Sequence, residues 1–217
     1  MTNEQMFKRL YAVMMDLDST YGLKAMYDAG NRTTLSGAYD IVNLLLEVKD
    51  SIADAANKSA GKANIARTVK AILRNAKKIT VTRYDCLFTS GESQYATDGP
   101  RMVRLKGTKR LDMPTKESEK RFEQVLAYAK SAVSITLPEK SILKTLIGIT
   151  PKSETALFPL ENGAQVNAIY LLELLNLFDG DNDYYAYMAN ASTPLYLRSK
   201  DADESIVALL MPCRTKA

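Results

Sequence analysis

Short strand candidates follow amphipathic helices along most of this chain, and this order constrains the fold more than any other feature. The spacing of apolar residues predicts helices over residues 63–77, 117–133 and 167–178. The strand candidates cover 79–89, 93–97, 101–105, 134–138, 156–160, 183–189, 194–199 and 205–212, and an apolar stretch at 140–149 lies among them. Because the connections after residue 180 are too short for parallel crossovers, we predict an α+β fold with antiparallel strands.

The first sixty residues have a different pattern. Apolar residues recur at helical spacing around Phe7 and Leu10, and more clearly from Ile41 to Ile52. The small and polar segment NKSAGKAN at 57–64 has the composition of a linker. We therefore predict a helical N-terminal region at 1–60 and an α+β domain at 61–217.

Several classes of chemistry are excluded by composition. The chain contains no histidine, which excludes Ser-His-Asp and Cys-His catalysis, and its two cysteines are too few for a structural zinc site. The segment DGDND at 179–183 begins like a calcium loop, but Tyr184 and Asn190 occupy positions that require glycine and glutamate. The glycines are scattered, so no phosphate-binding loop is present. We predict a non-enzyme that uses no metal and no cofactor.

The sequence also bears on location. No apolar stretch approaches the roughly 18 residues of a membrane span. Asp16 and Asp18 interrupt the basic-then-apolar order that a signal peptide would need at the N-terminus. We therefore expect a cytoplasmic protein that does not bind membranes and keeps Cys86 and Cys213 reduced.

The net charge of +4 is unevenly distributed. The balance is −2 over residues 1–60, +9 over residues 61–130 and −3 over residues 131–217. A basic middle between two mildly acidic ends indicates a surface that faces a polyanion, not general basicity.

Part of the basic charge lies on one face of the helix predicted at 63–77. Spacings of three, four and three residues put four cations on one side of that helix: Arg67, Lys70, Arg74 and Lys77. Such a face would contact the phosphates of double-stranded DNA without reading its bases, and the alternative is the solvated face of an ordinary amphipathic helix. The further cations expected to extend this patch are Arg101, Arg104, Lys106, Lys109 and Arg110.

Two short motifs, YATDGPRMVRL at 95–105 and ALLMPCR at 208–214, together resemble the bacterial sliding clamp, the β subunit of DNA polymerase III. That family typically carries A-T-D-G-H-R-L in its middle domain and ends in M-P-x-R. In this chain Pro100 replaces the usual histidine and Met102 stands for leucine. The resemblance implies DNA-clamp-like units of a helix plus antiparallel sheet, here with a helical N-terminal extension.

The resemblance further implies that both motifs line one hydrophobic pocket, which binds short linear peptides of polymerases and other replication proteins. Met102, Met211 and Pro212 would form its apolar floor. Arg101 and Arg214 would supply polarity at its rim. The remaining residues of the expected pocket are Thr97, Gly99, Pro100 and Cys213.

The functional hypothesis is a non-enzymatic, clamp-like processivity or partner-docking factor of DNA replication. Its partners would be double-stranded DNA, bound without sequence preference, and replication proteins that carry clamp-binding peptides. A bacterial clamp chain holds three similar domains and this chain has room for fewer, so a closed ring would need a homo-oligomer. The alternative is a protein-interaction or regulatory adaptor whose clamp-like domain no longer binds DNA.

Overall fold

The structure is a computed structural model that describes residues 5, 8, 9, 12, 15, 47–78, 86–117, 122–130, 133–178, 180 and 183–213. The chain divides into two compact units, Met1–Gly61 and Lys62–Ala217. In the first unit, the described residues up to 59 are helical, and Ala60 and Gly61 form a turn. Phe7, Leu10 and Ile41, which carry the predicted N-terminal pattern, lie outside the described residues.

The second unit contains both helices and strands. Its helices are α1 (Ala63–Lys78), α2 (Phe122–Ala129), α3 (Lys140–Ile149) and α4 (Ala168–Leu175), with a short 3-10 turn at Gly107–Lys109. Its strands are β1 (Leu87–Ser90), β2 (Ser93–Thr97), β3 (Arg101–Lys106), β4 (Thr115–Glu117), β5 (Leu157–Pro159), β6 (Gln165–Asn167), β7 (Tyr184–Tyr187), β8 (Leu195–Ser199) and β9 (Ile206–Leu210). None of the helices within the described ranges is long and apolar enough to cross a membrane.

Seven strands form one sheet in the order β4-β1-β2-β3-β9-β8-β7, and β5 pairs with β6 separately. The sheet consists mainly of two three-stranded meanders, β1-β2-β3 and β7-β8-β9, which join side by side through β3 and β9. These pairs are all antiparallel, which confirms the α+β prediction. The exception is β4, which lies parallel to β1 at one edge of the sheet.

Helices cover both faces of the sheet. Side chains alternate between the faces along each strand, so each face receives its own set of side chains. Val103 and Ala208 point to the face that packs against α1, α3 and α4 in the larger core. Their neighbours Met102 and Leu209 point to the other face, where a smaller core forms against α2. The larger core therefore anchors α1, and the smaller core anchors α2.

The predictions for the middle of the chain were partly wrong. In the range 134–138, the structure has a single bridge between Ser134 and Tyr187 in place of a strand. The apolar stretch at 140–149 is the helix α3, and the helix predicted at 117–133 is observed over Phe122–Ala129. Short apolar runs satisfy helix and strand patterns equally well, so the tertiary packing decides between them.

Candidate functional site

The predicted basic face is a surface of α1. Arg67, Arg74 and Lys77 are exposed and Lys70 is half-buried, whereas the opposite side of the helix is buried in the larger core. The helix thus buries its apolar side and turns four cations outward. That these cations contact DNA stays a prediction.

Two of the cations expected to extend this patch do not reach the surface. Arg101 and Arg104 are both buried, because β3 is covered on both of its faces. The Arg104 guanidinium forms an ion pair with Glu123 (Nη1 to Oε2, 3.4 Å) and donates to the Glu204 carbonyl (Nη2 to O, 2.9 Å). The expectation that these two arginines join the basic surface was wrong, and their charges are compensated inside the domain.

Helix α4 lies beside α1 and differs from it in charge. The Thr68 hydroxyl of α1 donates to the Glu173 carbonyl of α4 (2.9 Å), which holds the two helices together. The Asn167 side chain caps α4 by accepting from the backbone N–H groups of Ile169 and Tyr170. The sequence of α4, AIYLLELL, contains no basic residue and exposes Ile169. The basic surface is therefore confined to α1 within this pair of helices.

The two motifs that resemble the sliding clamp lie next to each other. Strands β3 and β9 pair so that Arg101 lies opposite Leu210, and beyond this pair the Met211 N–H donates to the Pro100 carbonyl (2.8 Å). Further along, the Cys213 N–H donates to the Gln165 carbonyl (2.7 Å), and burial raises the pKa of the Cys213 thiol. The tertiary structure thus brings together two segments that are about a hundred residues apart in sequence.

The turn between β2 and β3 has a local physical cause. Asp98 and Arg101 close a two-residue loop in which Gly99 has a φ of +94°, a conformation that favours glycine. Pro100 suits the second loop position because its ring holds φ near −65°. The Asp98 carboxylate accepts from the Arg101 N–H (2.9 Å), and the Thr97 hydroxyl donates to the Arg101 carbonyl (2.6 Å).

Arg101 does not lie at a pocket rim, which corrects the role expected from the resemblance. Its side chain is 1% exposed and forms ion pairs with Asp98 (Nη2 to Oδ2, 2.7 Å) and Glu173. Its guanidinium also lies 4.0 Å from the centre of the Tyr170 ring. The Asn75 amide of α1 donates to both Asp98 (2.8 Å) and the Tyr170 hydroxyl (3.1 Å). Arg101 therefore ties the turn to α4, whereas Asn75 ties Asp98 of the same turn to α1, and the donors of Arg101 are directed inward.

Met102 is also buried, on the face opposite to Arg101. It packs in the smaller core with Phe122 and Leu126 of α2, so the floor expected from Met102 is covered by a helix. Met211, in contrast, is 45% exposed, and Pro100, Pro212 and Cys213 are half-buried. Gly99 is exposed, Thr97 is buried, and Arg214 lies outside the described residues. The accessible part of the expected pocket is the surface around Pro100, Met211 and Pro212.

A polar cluster beneath α2 was not found by sequence reasoning. The Tyr95 hydroxyl donates to Glu123 of α2. The pKa of Tyr95 is raised to about 12, mainly by burial and secondly by the Glu123 carboxylate. Burial likewise raises the pKa of Tyr196 to about 12. The sequence signal for this cluster was Arg104, the second arginine of RMVRL at 101–105. It takes an inward position of a buried strand and needs partners there.

No group of three or more Cys, Asp or Glu side chains within the described part of the chain is arranged to hold a metal ion. The cavity lined by Lys109, Phe178, Asp183 and Asp201, with others, has a volume of about 280 Å³. It includes Ile206, at the end of β9 opposite to Met211 and the Gly99-Pro100 turn. The described residues of the candidate sites offer charged and apolar side chains for contact with a partner.

Comparisons with known proteins find solved structures that are similar to part of the chain. No protein-family model and no curated protein matches the sequence. The chain is similar to the crystal structure of a DNA polymerase sliding clamp from Pseudomonas aeruginosa, with 10% identity, a TM-score of 0.38, and coverage of 58% of this chain and 56% of that one. It is also similar to a protein from Eubacterium rectale described as a DNA polymerase III beta subunit, with 12% identity, a TM-score of 0.32, and coverage of 58% and 42%. The chain thus spans about half the length of the sliding clamps that it matches.

Proposed function

We propose that residues 61–217 form a non-enzymatic, clamp-like factor that associates with double-stranded DNA and docks replication proteins through short peptides. The observation that carries this proposal is the outward row of Arg67, Lys70, Arg74 and Lys77 on α1. A helix anchored along one side presents such cations at fixed positions, and phosphates recur regularly along a duplex. Cations that neutralise phosphates release counterions, which gives affinity without sequence preference.

The DNA-binding half of the proposal predicts a strong dependence on salt. Replacing three exposed cations of α1 by glutamine (Arg67→Gln, Arg74→Gln and Lys77→Gln) should reduce the slope of log K against log salt by about 3, since each phosphate contact contributes about 0.9. The measurement is fluorescence anisotropy with a labelled duplex between about 50 and 200 mM salt.

The matched control removes three exposed lysines that lie elsewhere in the domain. These are replaced as Lys116→Gln, Lys144→Gln and Lys152→Gln, which changes the net charge by the same amount. The control should keep most of the salt slope. An equal loss in both triple variants, or binding that ignores salt, would contradict a duplex site on α1.

The docking half of the proposal rests on the apolar surface where the two motifs meet. The backbone hydrogen bond from the Met211 N–H to the Pro100 carbonyl holds the two segments together. The exposed Met211 side chain leaves apolar area for a Leu or Phe side chain of a partner peptide. Arg101 acts indirectly, because its ion pairs hold the turn that carries Pro100.

Truncating the exposed methionine should weaken peptide binding. Met211→Ala is expected to reduce the affinity for a fluorescent clamp-binding peptide at least about fivefold, as expected for a central apolar contact. Ile149→Ala, which truncates another exposed apolar side chain on α3, is the matched control and should bind like the wild type. Equal binding by Met211→Ala and the control would refute this docking surface.

A second candidate function is an adaptor that keeps the clamp-like fold without binding DNA. The observation that favours it is the absence of basic residues from α4, next to α1. The duplex titration separates the two functions directly. Mass measurement in solution adds to it, because a ring requires a dimer or a larger oligomer, whereas a strict monomer favours the adaptor.

A further inference from the structure

A second surface combines aromatic rings with cations, on the face of the sheet that carries α2. Strand β7 has the sequence YYAY, and alternation along the strand points Tyr185 and Tyr187 to the same face as Arg198 and Lys200 of the β8 segment. We infer that this aromatic-cationic strip, defined as Lys130, Tyr185, Tyr187, Arg198 and Lys200, binds single-stranded nucleic acid.

The rings and cations of the strip are close together. The Arg198 guanidinium carbon lies 4.9 Å from the centre of the Tyr185 ring and 5.7 Å from that of Tyr187, and the Lys200 Nζ lies 5.1 Å from the Tyr185 centre. The Tyr185 and Tyr187 rings are 6.3 Å apart. Tyr185 remains 43% exposed at the edge of the sheet, so a ligand can reach it.

The strip continues to the end of α2. Glu204 connects the parts, because its carboxylate pairs with Arg198 (2.9 Å) and with the Nζ of the exposed Lys130 (3.7 Å). Glu204 also pairs with the buried Arg104 (3.8 Å), which Glu123 pairs with as well. The strip's own cations, Lys130, Arg198 and Lys200, still outnumber the Glu204 carboxylate that lies among them.

This composition fits a single strand better than a duplex. The unpaired bases of a single strand stack on exposed aromatic rings while cations beside the rings contact the phosphates. Such stacking tolerates any base. A duplex keeps its bases stacked internally and offers phosphates alone, which suits the aromatic-free cation row of α1. An acidic peptide would use the cations of the strip but would have little use for the tyrosine rings.

The test compares a labelled oligo(dT) with an abasic strand of the same length, by fluorescence anisotropy with the full chain at low salt. The wild type should bind oligo(dT) more tightly than the abasic strand. Tyr185→Ala should weaken oligo(dT) binding roughly tenfold and leave binding of the abasic strand unchanged, because one stacking ring is lost. Tyr185→Phe keeps the ring and should bind oligo(dT) like the wild type.

Three results would overturn the inference. The first is equal affinity for the two strands, and the second is a loss in Tyr185→Phe as large as that in Tyr185→Ala. The third is loss of oligo(dT) binding in the variant Arg74→Gln plus Lys77→Gln, which would assign the binding to α1. Polyglutamate that competes fully with oligo(dT) and is insensitive to Tyr185→Ala would instead identify an acidic-peptide site. Failure of duplex binding alone leaves these oligo(dT) outcomes unaffected.

Discussion

Arg101→Met is expected to lower the free energy of unfolding by about 3–5 kcal/mol, the cost of breaking a buried ion pair by removing one partner. Among the described residues, Arg101 is the charge partner of Asp98, whose side chain is 0% exposed. The methionine fills similar space, so the loss reports the unpaired carboxylate and not a large cavity. Urea unfolding followed by circular dichroism measures the change.

The matched control for this substitution is Arg198→Met. Arg198 also pairs with a carboxylate, that of Glu204 at 2.9 Å, but its side chain is 32% exposed. Solvent screens that pair, and its loss should cost at most about 1 kcal/mol. A double variant, Asp98→Asn with Arg101→Met, should be more stable than the sum of the single effects predicts. Equal destabilisation by the two arginine variants would contradict the structural role assigned to Arg101.

Phe122→Ala is expected to cost about 3–5 kcal/mol, as for other buried Phe to Ala replacements. The Phe122 ring stacks on Tyr95 with centres 4.8 Å apart and tilts against Phe88 at 5.7 Å. An eight-residue helix has little stability of its own, so α2 depends on this anchor. Hydrogen exchange should therefore show α2 opening before the larger core around Val103 does.

Tyr128→Ala is the control within the same helix. Tyr128 is exposed, so its truncation should change the free energy of unfolding by no more than about 0.5 kcal/mol. If Phe122→Ala lowered the free energy of unfolding as little as Tyr128→Ala, the result would contradict the packing of α2 on the sheet through Phe122. If exchange in α2 and in the larger core accelerated together, the two cores would unfold as one cooperative unit.

Local patterns predicted the elements that depend on local forces. The helix predicted at 63–77 is observed as Ala63–Lys78, because its apolar residues recur on one side and its cations on the other. The strands at 93–97 and 101–105 were correct within one residue, since the Asp98-Gly99-Pro100 turn separates two alternating segments. The same turn chemistry made the antiparallel pairing predictable.

The candidate pocket could be predicted only as a pair of neighbouring segments. The sequence resemblance predicted that Pro100 and Met211 lie close together, and a backbone hydrogen bond joins them in the structure. It could not tell which side of β3 each side chain occupies, so Arg101 was expected at a rim and Met102 at a floor. The strand alternation puts them on opposite faces, and helices cover both.

The sequence by itself determined the fold class, the basic side of α1 and the turn at Gly99, because these follow from periodicity, spacing and backbone conformation within a few residues. Only the tertiary structure decided that Arg101 is buried between Asp98 and Glu173, and that Arg198 lies beside Tyr185. The Arg101–Glu173 and Arg198–Tyr185 contacts join different elements, and Arg101 and Glu173 are more than seventy residues apart in the chain. Their energies come from burial and charge compensation, which no local pattern records.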